Sequence, residues 1–136
     1  MKAFLAAAML VWAGPALAEA VNAKLICGPN TSDPAKLRAC QSLIRFNVEG
    51  DRLEGEHSFK SNGGSTETFN GFISAAGKVL MSGHGSSKNG GAWTYEFTGQ
   101  RARNKDTVLV GKRVNTLGIV GHRDCSLRFV RDRPAI

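Results

Sequence analysis

Two sets of side chains in this sequence have the clearest potential for metal or redox chemistry, the cysteines and the histidines. They are Cys27, Cys40, Cys125 and His57, His84, His122. Zinc and redox sites built from these residue types use close, regular spacings such as C-x-x-C. Neither set has such a spacing, alone or combined with the other. We therefore expect no metal site and no cofactor.

Patterns typical of nucleophilic catalysis are also missing from the sequence. The segment Gly83-His84-Gly85-Ser86 is not a nucleophile elbow, and no serine, histidine and carboxylate stand at a spacing typical of a triad. His122 and Arg123 stand close to Cys125, as charged residues do around reactive thiols. A structural disulfide is the more ordinary fate of Cys125. The sequence therefore predicts no catalytic residues and a protein that is not an enzyme.

One predicted strand has an aromatic face that could bind a ligand. Trp93, Tyr95 and Phe97 alternate with Thr94 and Glu96, so the three rings share one side of the strand. In a chain of this length such a stripe is more often core, and we expect core here. The alternative is that the three rings line a ligand pocket, as inward faces of small barrels sometimes do.

Positive charge is concentrated near the end of the chain. Residues 19–99 contain eight Lys/Arg and eight Asp/Glu, whereas residues 100–136 contain nine basic residues and three acidic ones. A basic face attracts polyanions, such as lipopolysaccharide phosphates, lipid head groups or acidic proteins. The alternative is a solvated edge whose charges discourage aggregation. The candidate anion-binding residues are Arg101, Arg103, Lys112, Arg113, Arg123, Arg128, Arg131 and Arg133.

Residues 1–18 have the pattern of a bacterial signal peptide. Lys2 precedes an apolar run, and a Gly14-Pro15 break leads to Ala16-Leu17-Ala18, the small-x-small pattern of a cleavage site. The run is shorter than the roughly 20 apolar residues that a membrane-spanning helix needs. We therefore predict a cleaved signal at 1–18 and one domain at 19–136, without a transmembrane segment, in the periplasm or secreted. Export and the lack of a known binding module argue against nucleic acid as a partner.

Three cysteines in an oxidising compartment leave one thiol without a partner. A Cys27–Cys40 bond would close a short, turn-rich loop, whereas a Cys27–Cys125 bond would join the first strand to the last. The longer loop gives the larger entropic stabilisation, by roughly 1–2 kcal/mol. Stabilisation does not determine connectivity, because geometry decides it. Both pairings stay open on this argument, and so does the fate of the third cysteine.

Short alternating segments separated by turn signals run along the whole domain. Ile44, Phe46 and Val48 show this period of two, which is typical of a half-buried strand. Further predicted strands include Thr68–Ile73 and Thr107–Gly111. The spacing predicts an all-β, antiparallel meander of about eight strands, forming a closed or flattened β-barrel, with a β-sandwich as the alternative. Five glycines fall inside predicted strands, where bulges or bends are expected. They are Gly55, Gly71, Gly83, Gly99 and Gly111.

Several short phrases resemble a loose group of small exported proteins of alphaproteobacteria. The phrases are Phe69-Asn70-Gly71-Phe72-Ile73, Gly77-Lys78-Val79, Trp93-Thr94-Tyr95-Glu96-Phe97-Thr98-Gly99 and Arg123-Asp124-Cys125-Ser126-Leu127. The group combines a signal peptide, an early cysteine strand, a W-x-Y strand and a late R-x-C strand. The resemblance implies an architecture and no particular activity. It also implies the pairing Cys27–Cys125, while Cys40 departs from the pattern and leaves Cys27–Cys40 as the alternative.

These observations lead to three functional hypotheses. The first is an exported, non-enzymatic binding or interaction protein that contacts an anionic envelope component through its basic C-terminal face. The second is a secreted protein inhibitor or host-directed factor that docks through a hairpin loop such as Ser86–Gly91. The third is a lipocalin-like carrier of a small apolar ligand, which requires a cavity beside Trp93 and Tyr95. Ligand identity, partner and oligomeric state are not predicted.

Overall fold

A computed structural model describes residues 19–60 and 63–130, and these form eight β-strands. The predicted signal peptide at 1–18, Arg131 and Arg133 lie outside the described residues. No helix in the described ranges is long and apolar enough to cross a membrane. The strands are β1 (Glu19–Cys27), β2 (Cys40–Glu49), β3 (Arg52–Phe59), β4 (Ser65–Ile73), β5 (Lys78–Ser87), β6 (Ala92–Gln100), β7 (Thr107–Leu117) and β8 (His122–Val130).

Each strand pairs antiparallel with the next in the sequence, and β8 pairs with β1 to close the barrel. Ala23 lies opposite Phe129 at this seam, and Cys27 lies opposite Cys125. Each described strand therefore has a neighbour on both sides, although the β2–β3 pairing covers only Arg45–Glu49 and Arg52–Glu56. The predicted eight-stranded meander and barrel are therefore confirmed, and the molecule is not the alternative sandwich.

The core follows from the alternation of side chains along the strands. Ile44 and Phe46 on β2 are buried, while the alternating residues Leu43 and Arg45 are exposed. Burial of each large apolar side chain contributes about 1.5–3 kcal/mol relative to exposure. The buried apolar residues are Ala23, Leu25, Cys27, Ile44, Phe46, Leu53, Phe69, Val79, Met81, Trp93, Tyr95, Phe97, Leu109, Cys125 and Leu127.

Glycines inside the strands make room for inward aromatic rings. An added Cβ at Gly83 would lie 2.7 Å from the Phe69 ring, and one at Gly85 would lie 2.2 Å from the Trp93 indole nitrogen. Each of these glycines lies directly opposite its aromatic residue in the strand register. Regular pairing continues through Gly83, and the register shift that the structure shows lies between Ala92 and Trp93. Of the five predicted glycines, Gly83 and Gly55, which faces the Phe46 ring, are therefore explained by ring packing. The other three lie against aliphatic side chains or backbone atoms.

An up-and-down barrel sends alternate connections to opposite ends. The β1–β2, β3–β4, β5–β6 and β7–β8 connections lie at one end, which we call the cavity end. The β2–β3, β4–β5 and β6–β7 connections lie at the other, which we call the packed end. The longest connection, residues 28–39, belongs to the cavity end. Inward apolar side chains pack against the core at the packed end and line a smaller pocket of about 320 Å³ there; they include Val21, Val48, Leu53, Ile73 and Phe129.

Candidate functional site

A cavity of about 670 Å³ opens at the cavity end of the barrel. Pockets for small organic ligands span about 300–1,000 Å³, so this volume suits a ligand of ordinary size. Both apolar and polar side chains form its wall. The apolar ones are Leu25, Leu37, Phe59, Trp93, Leu117 and Ile119.

A buried carboxylate organises the wall of the cavity. Glu67 on β4 is only 2% exposed. The Trp93 indole Nε1–H donates to Glu67 Oε2 at 2.7 Å, and the Tyr95 hydroxyl donates to the same oxygen. His57 Nδ1 lies 3.1 Å from Glu67 Oε1. A charge this deeply buried persists only when it is well hydrogen-bonded, and these three contacts provide that compensation.

The same carboxylate changes the chemistry of Tyr95. Burial, the negative charge of Glu67 and the hydrogen bond to Glu67 raise the pKa of Tyr95 well above its ordinary value, although Arg113 acts in the opposite direction. The phenol therefore stays protonated and keeps donating to Glu67. The rings of Trp93 and Tyr95 are thus held in fixed orientations before any ligand arrives.

Arg113 on β7 brings a positive charge to the cavity wall. Its Cζ lies 4.1 Å from the centroid of the Trp93 ring and 5.9 Å from that of Tyr95. Stacking of a guanidinium on an aromatic face is favourable and leaves the N–H edges free to bind. Arg113 Nε is buried without a hydrogen-bond partner. Within residues 19–60 and 63–130, no carboxylate oxygen lies within ion-pair distance of this guanidinium.

Asn115 lies two residues further along the same face of β7. Its Nδ2 donates to the Ile119 carbonyl at 2.6 Å, across the β7–β8 turn. Its Oδ1 is buried and has no hydrogen-bond partner. Buried polar atoms are usually paired in folded proteins, so atoms left without a partner need an explanation. Here a donor on Arg113 and an acceptor on Asn115 are both unpaired at the cavity wall.

Arg123 is also buried at the cavity, but its hydrogen bonds are structural. Its Nη1 donates to the Gly28 carbonyl at 3.1 Å and to the Arg38 carbonyl at 2.6 Å. These contacts hold the two ends of the β1–β2 connection against β8. The connection is also tied to the β7–β8 turn, where the Ser32 hydroxyl donates to the Val120 carbonyl at 2.6 Å. Arg123 therefore fixes the rim of the cavity.

The three cysteines lie side by side on neighbouring strands near this rim. Cys27 on β1 lies opposite Cys40 on β2 on one side and opposite Cys125 on β8 on the other. The disulfide joins Cys27 to Cys125, across the seam that closes the barrel. The pairing implied by the resemblance is therefore confirmed, and the alternative pairing with Cys40 is not formed. Cys40 is a free, exposed cysteine that lines the cavity.

The aromatic stripe predicted on β6 belongs to the core, as expected, and part of it borders the cavity. Trp93, Tyr95 and Phe97 are all buried, at 4%, 1% and 3% exposure. Trp93 and Tyr95 also line the cavity. Phe97 stacks on Tyr95 at 5.7 Å between ring centroids and belongs to the core beneath the cavity floor.

The predicted anion-binding residues do not lie on one face of the barrel. Lys112 is exposed and pairs with Asp124 at 2.9 Å, and this pairing lowers the pKa of Asp124. Arg128 is 3.9 Å from Asp106. Contact with an anionic envelope component through these side chains stays a prediction. The described positions are the cavity wall (Arg113, Arg123), the outer surface (Lys112, Arg128) and the β6–β7 connection at the packed end (Arg101, Arg103).

Glu67 and Asn115 were not among the residues predicted from sequence. The predicted strand around Phe69 begins at Thr68, but β4 begins at Ser65 and so includes Glu67. Likewise β7 continues past Gly111 to Leu117 and so includes Asn115. Extending the period-two pattern backwards from Phe69 would have placed Glu67 on the inward face. The remaining polar residues that line the cavity include Ser42, Ser87 and Asn89.

Comparisons with protein-family models, with curated proteins and with solved structures find no match for this chain. The described residues contain no group of three or more His, Cys, Asp or Glu side chains arranged to hold a metal ion. The cavity is the feature of the described residues that bears most directly on function.

Proposed function

We propose that this protein is an exported binding protein that holds a small, largely apolar molecule in the cavity. The observation that carries the proposal is the buried Glu67 carboxylate with its three hydrogen-bonding neighbours beside a cavity of about 670 Å³. Ligand sites are typically concave, mostly apolar and lined by a few well-placed polar groups. This cavity combines all three properties.

The buried network has no evident role in stability alone. Replacing buried charges by apolar residues of similar volume is often neutral or stabilising, so a buried carboxylate is weak evidence for a structural function. Glu67 fixes the orientation of Trp93 and Tyr95, which form part of the cavity wall. A binding site gains affinity when its side chains are ordered before the ligand arrives. This argues for a prepared site rather than an accidental void.

Export to the periplasm or the medium belongs to the same proposal. The signal-like residues 1–18 support it. The Cys27–Cys125 disulfide supports it independently, because such bonds persist in oxidising compartments. A binding protein there would carry or sequester its ligand without changing it chemically.

A saturable fluorescence titration with N-phenylnaphthylamine tests the proposal. This uncharged probe becomes fluorescent when it leaves water for an apolar site. Ser42 is half-buried, lies on the inward face of β2 and lines the cavity, so Ser42→Phe places a ring inside the cavity. The matched control is Leu43→Phe, because Leu43 is the next residue and is 62% exposed on the outside of the barrel.

We expect the wild-type protein to bind the probe at one site. Ser42→Phe should remove that binding, and Leu43→Phe should leave it unchanged. Thermal unfolding of both variants checks that each barrel is folded. Equal binding by the two variants, or no saturable binding by the wild type, would contradict the proposal.

A further inference from the structure

We propose that the ligand carries an anionic group next to a hydrogen-bond donor, and that Arg113 and Asn115 recognise this pair. The inference rests on the proposed function and specifies which molecules the cavity accepts. It comes from two unpaired buried atoms of opposite character, the Nε of Arg113 and the Oδ1 of Asn115. Both residues lie on the inward face of β7 and line the cavity.

The guanidinium of Arg113 is available to an anion. Its Cζ lies over the Trp93 ring, 4.1 Å from the ring centroid, and its Nε has no partner among the described residues. No described carboxylate neutralises it by an ion pair. A planar guanidinium binds carboxylate, sulfonate or phosphate oxygens through two parallel N–H bonds. An anionic ligand oxygen in the cavity would offset the charge of the guanidinium, and a small rotation of the side chain would bring the buried Nε within reach of that oxygen.

Asn115 specifies the neighbouring ligand group. Its Nδ2 donates to the Ile119 carbonyl, and turning the amide over would place its oxygen against that carbonyl oxygen. The Oδ1 atom is therefore fixed as the unpaired acceptor, and it needs an N–H or O–H from the ligand. Arg113 and Asn115 are alternate residues of β7, and alternate residues of a strand project to the same side. The anionic group and the donor that they bind must therefore be neighbours on the ligand.

The other charged groups of the cavity wall already have partners in the protein. Both oxygens of Glu67 have partners, and His57 lies against one of them. The Nη1 of Arg123 donates to two backbone carbonyls. Two guanidinium groups and one carboxylate thus give the wall an excess of positive charge. A cationic ligand would meet this excess unfavourably, and an anionic ligand would offset it.

The apolar part of the ligand would lie against Phe59, Leu117 and the Trp93 ring. The ligand class is therefore an amphiphilic acid, with a carboxylate, sulfonate or phosphate group beside an N–H or O–H and an apolar body. Carboxylate, sulfonate and phosphate ligands share the negative charge, and competition between matched compounds distinguishes these ligand types.

The test compares two probes that differ by one group. Anilinonaphthalene sulfonate carries a sulfonate beside its anilino N–H, and N-phenylnaphthylamine is the same skeleton without the sulfonate. We expect the wild-type protein to bind the sulfonate at least several-fold more tightly. Arg113→Met should weaken sulfonate binding by roughly ten- to hundredfold, the range for a lost charge-assisted hydrogen bond, and so remove the preference for the sulfonate over the uncharged probe.

The matched control is Lys112→Met, which removes an equal charge from the outer face of the same strand. It should leave the binding of both probes unchanged. Arg113→Lys keeps the charge and should retain part of the preference for the sulfonate. Because the preference is measured first in the wild type, the test does not depend on how well Arg113→Met folds.

2-Hydroxydodecanoate, dodecyl phosphate and dodecane-1,2-diol then compete with the bound sulfonate. The first carries a hydroxyl beside its carboxylate, the monoanion of the second keeps a P–O–H, and the diol has donors but no charge. Stronger displacement by 2-hydroxydodecanoate identifies a carboxylate ligand, and stronger displacement by dodecyl phosphate identifies a phosphate ligand. Either result supports the inference, provided that the diol competes poorly. If the diol competes equally, or if the two fluorescent probes bind equally, the inference fails while the proposed function stands. If neither probe binds, the proposed function fails with it.

Discussion

The two ends of this barrel are built from the same strands and held together by different interactions. At the packed end, inward apolar side chains such as Val48 and Phe129 pack against the core. At the cavity end, the inward positions carry Glu67, Arg113 and Asn115, and hydrogen bonds and a disulfide replace apolar packing. The two ends of one short meander are therefore stabilised by different interactions, and the cavity lies at the end that depends on hydrogen bonds and the disulfide.

The position of the disulfide follows from this difference. Where β1 meets β8 at the packed end, Ala23 and Phe129 lie opposite each other and belong to or pack against the core. At the cavity end the same seam borders the cavity. Cys27 and Cys125 join the two strands covalently there. The bond holds closed the part of the seam that apolar packing supports least.

The largest effect is expected from removing this bond. The double variant Cys27→Ala/Cys125→Ala opens a covalent loop with a sequence separation of 98 residues. The loop-closure model gives a loss of about 4–5 kcal/mol in the free energy of unfolding, because the unfolded chain regains entropy. Denaturant titration measures it. Cys40→Ala is the control, since that cysteine is free and exposed, and a similar loss in the control would contradict this account.

A second comparison uses two leucines on β7, one from each end. Leu109 is fully buried in the core, and Leu117 is 65% exposed at the cavity rim. We expect Leu109→Ala to lower the free energy of unfolding by about 2–5 kcal/mol. The folded variant should bind the probe as the wild type does. Leu117→Ala should lower the free energy of unfolding by no more than about 0.5 kcal/mol, and it should weaken probe binding. Equal stability losses in the two variants would remove the distinction between the ends.

Gly85→Ala tests how tightly the cavity wall is arranged. The new Cβ would lie 2.2 Å from the Trp93 indole nitrogen, so the ring must move away from Glu67. Loss of one hydrogen-bond donor to a buried carboxylate lowers the free energy of unfolding by about 1–3 kcal/mol. Thermal unfolding and the near-ultraviolet circular dichroism of Trp93 report the change. The control is Gly28→Ala, whose new Cβ would meet only a carbonyl oxygen at 3.6 Å.

The smallest effect at neutral pH concerns Tyr95, the one tyrosine in the sequence. Its raised pKa means that the folded protein holds this proton more tightly than the unfolded chain does. The resulting stability is fully present below a pH of about 10, the ordinary pKa of tyrosine, and is lost as the pH rises above that value. Ultraviolet titration should show tyrosinate only as the barrel unfolds.

Glu67→Gln sharpens this titration. Removing the negative charge beside Tyr95 should lower the pKa of the phenol, so tyrosinate should appear at a lower pH than in the wild type. An ordinary tyrosine titration in the folded wild-type protein would show that the phenol is not held as described.

The fold was predictable because every strand contributes the same simple signal. Alternation such as Ile44, Phe46 and Val48, repeated between turn residues, specifies a meander with one buried face, and the barrel follows. The aromatic stripe on β6 was predictable in the same way. The pairing of Cys27 with Cys125 was not derivable from the residues, because it depends on which strands become neighbours at the seam.

The polar half of the site was harder to predict, because its residues break the rule that defines strands. Glu67 and Asn115 occupy inward positions where an apolar residue is expected, so the strands containing them were predicted too short. Arg113 was selected for its charge alone, with no indication that it faces inward. Register across three strands decides that Glu67 meets Trp93 and Tyr95, and local patterns do not contain this information.

The most direct test of the central claim is an NMR titration of the labelled protein with anilinonaphthalene sulfonate. Trp93 is the one tryptophan outside the predicted signal peptide, so its indole N–H resonance reports on the cavity. We predict large shifts of this resonance and of backbone amides around Arg113 and Asn115, with none around Val48 and Phe129. Shifts confined to the packed end or to the outer surface would contradict the claim that the cavity end is the binding site.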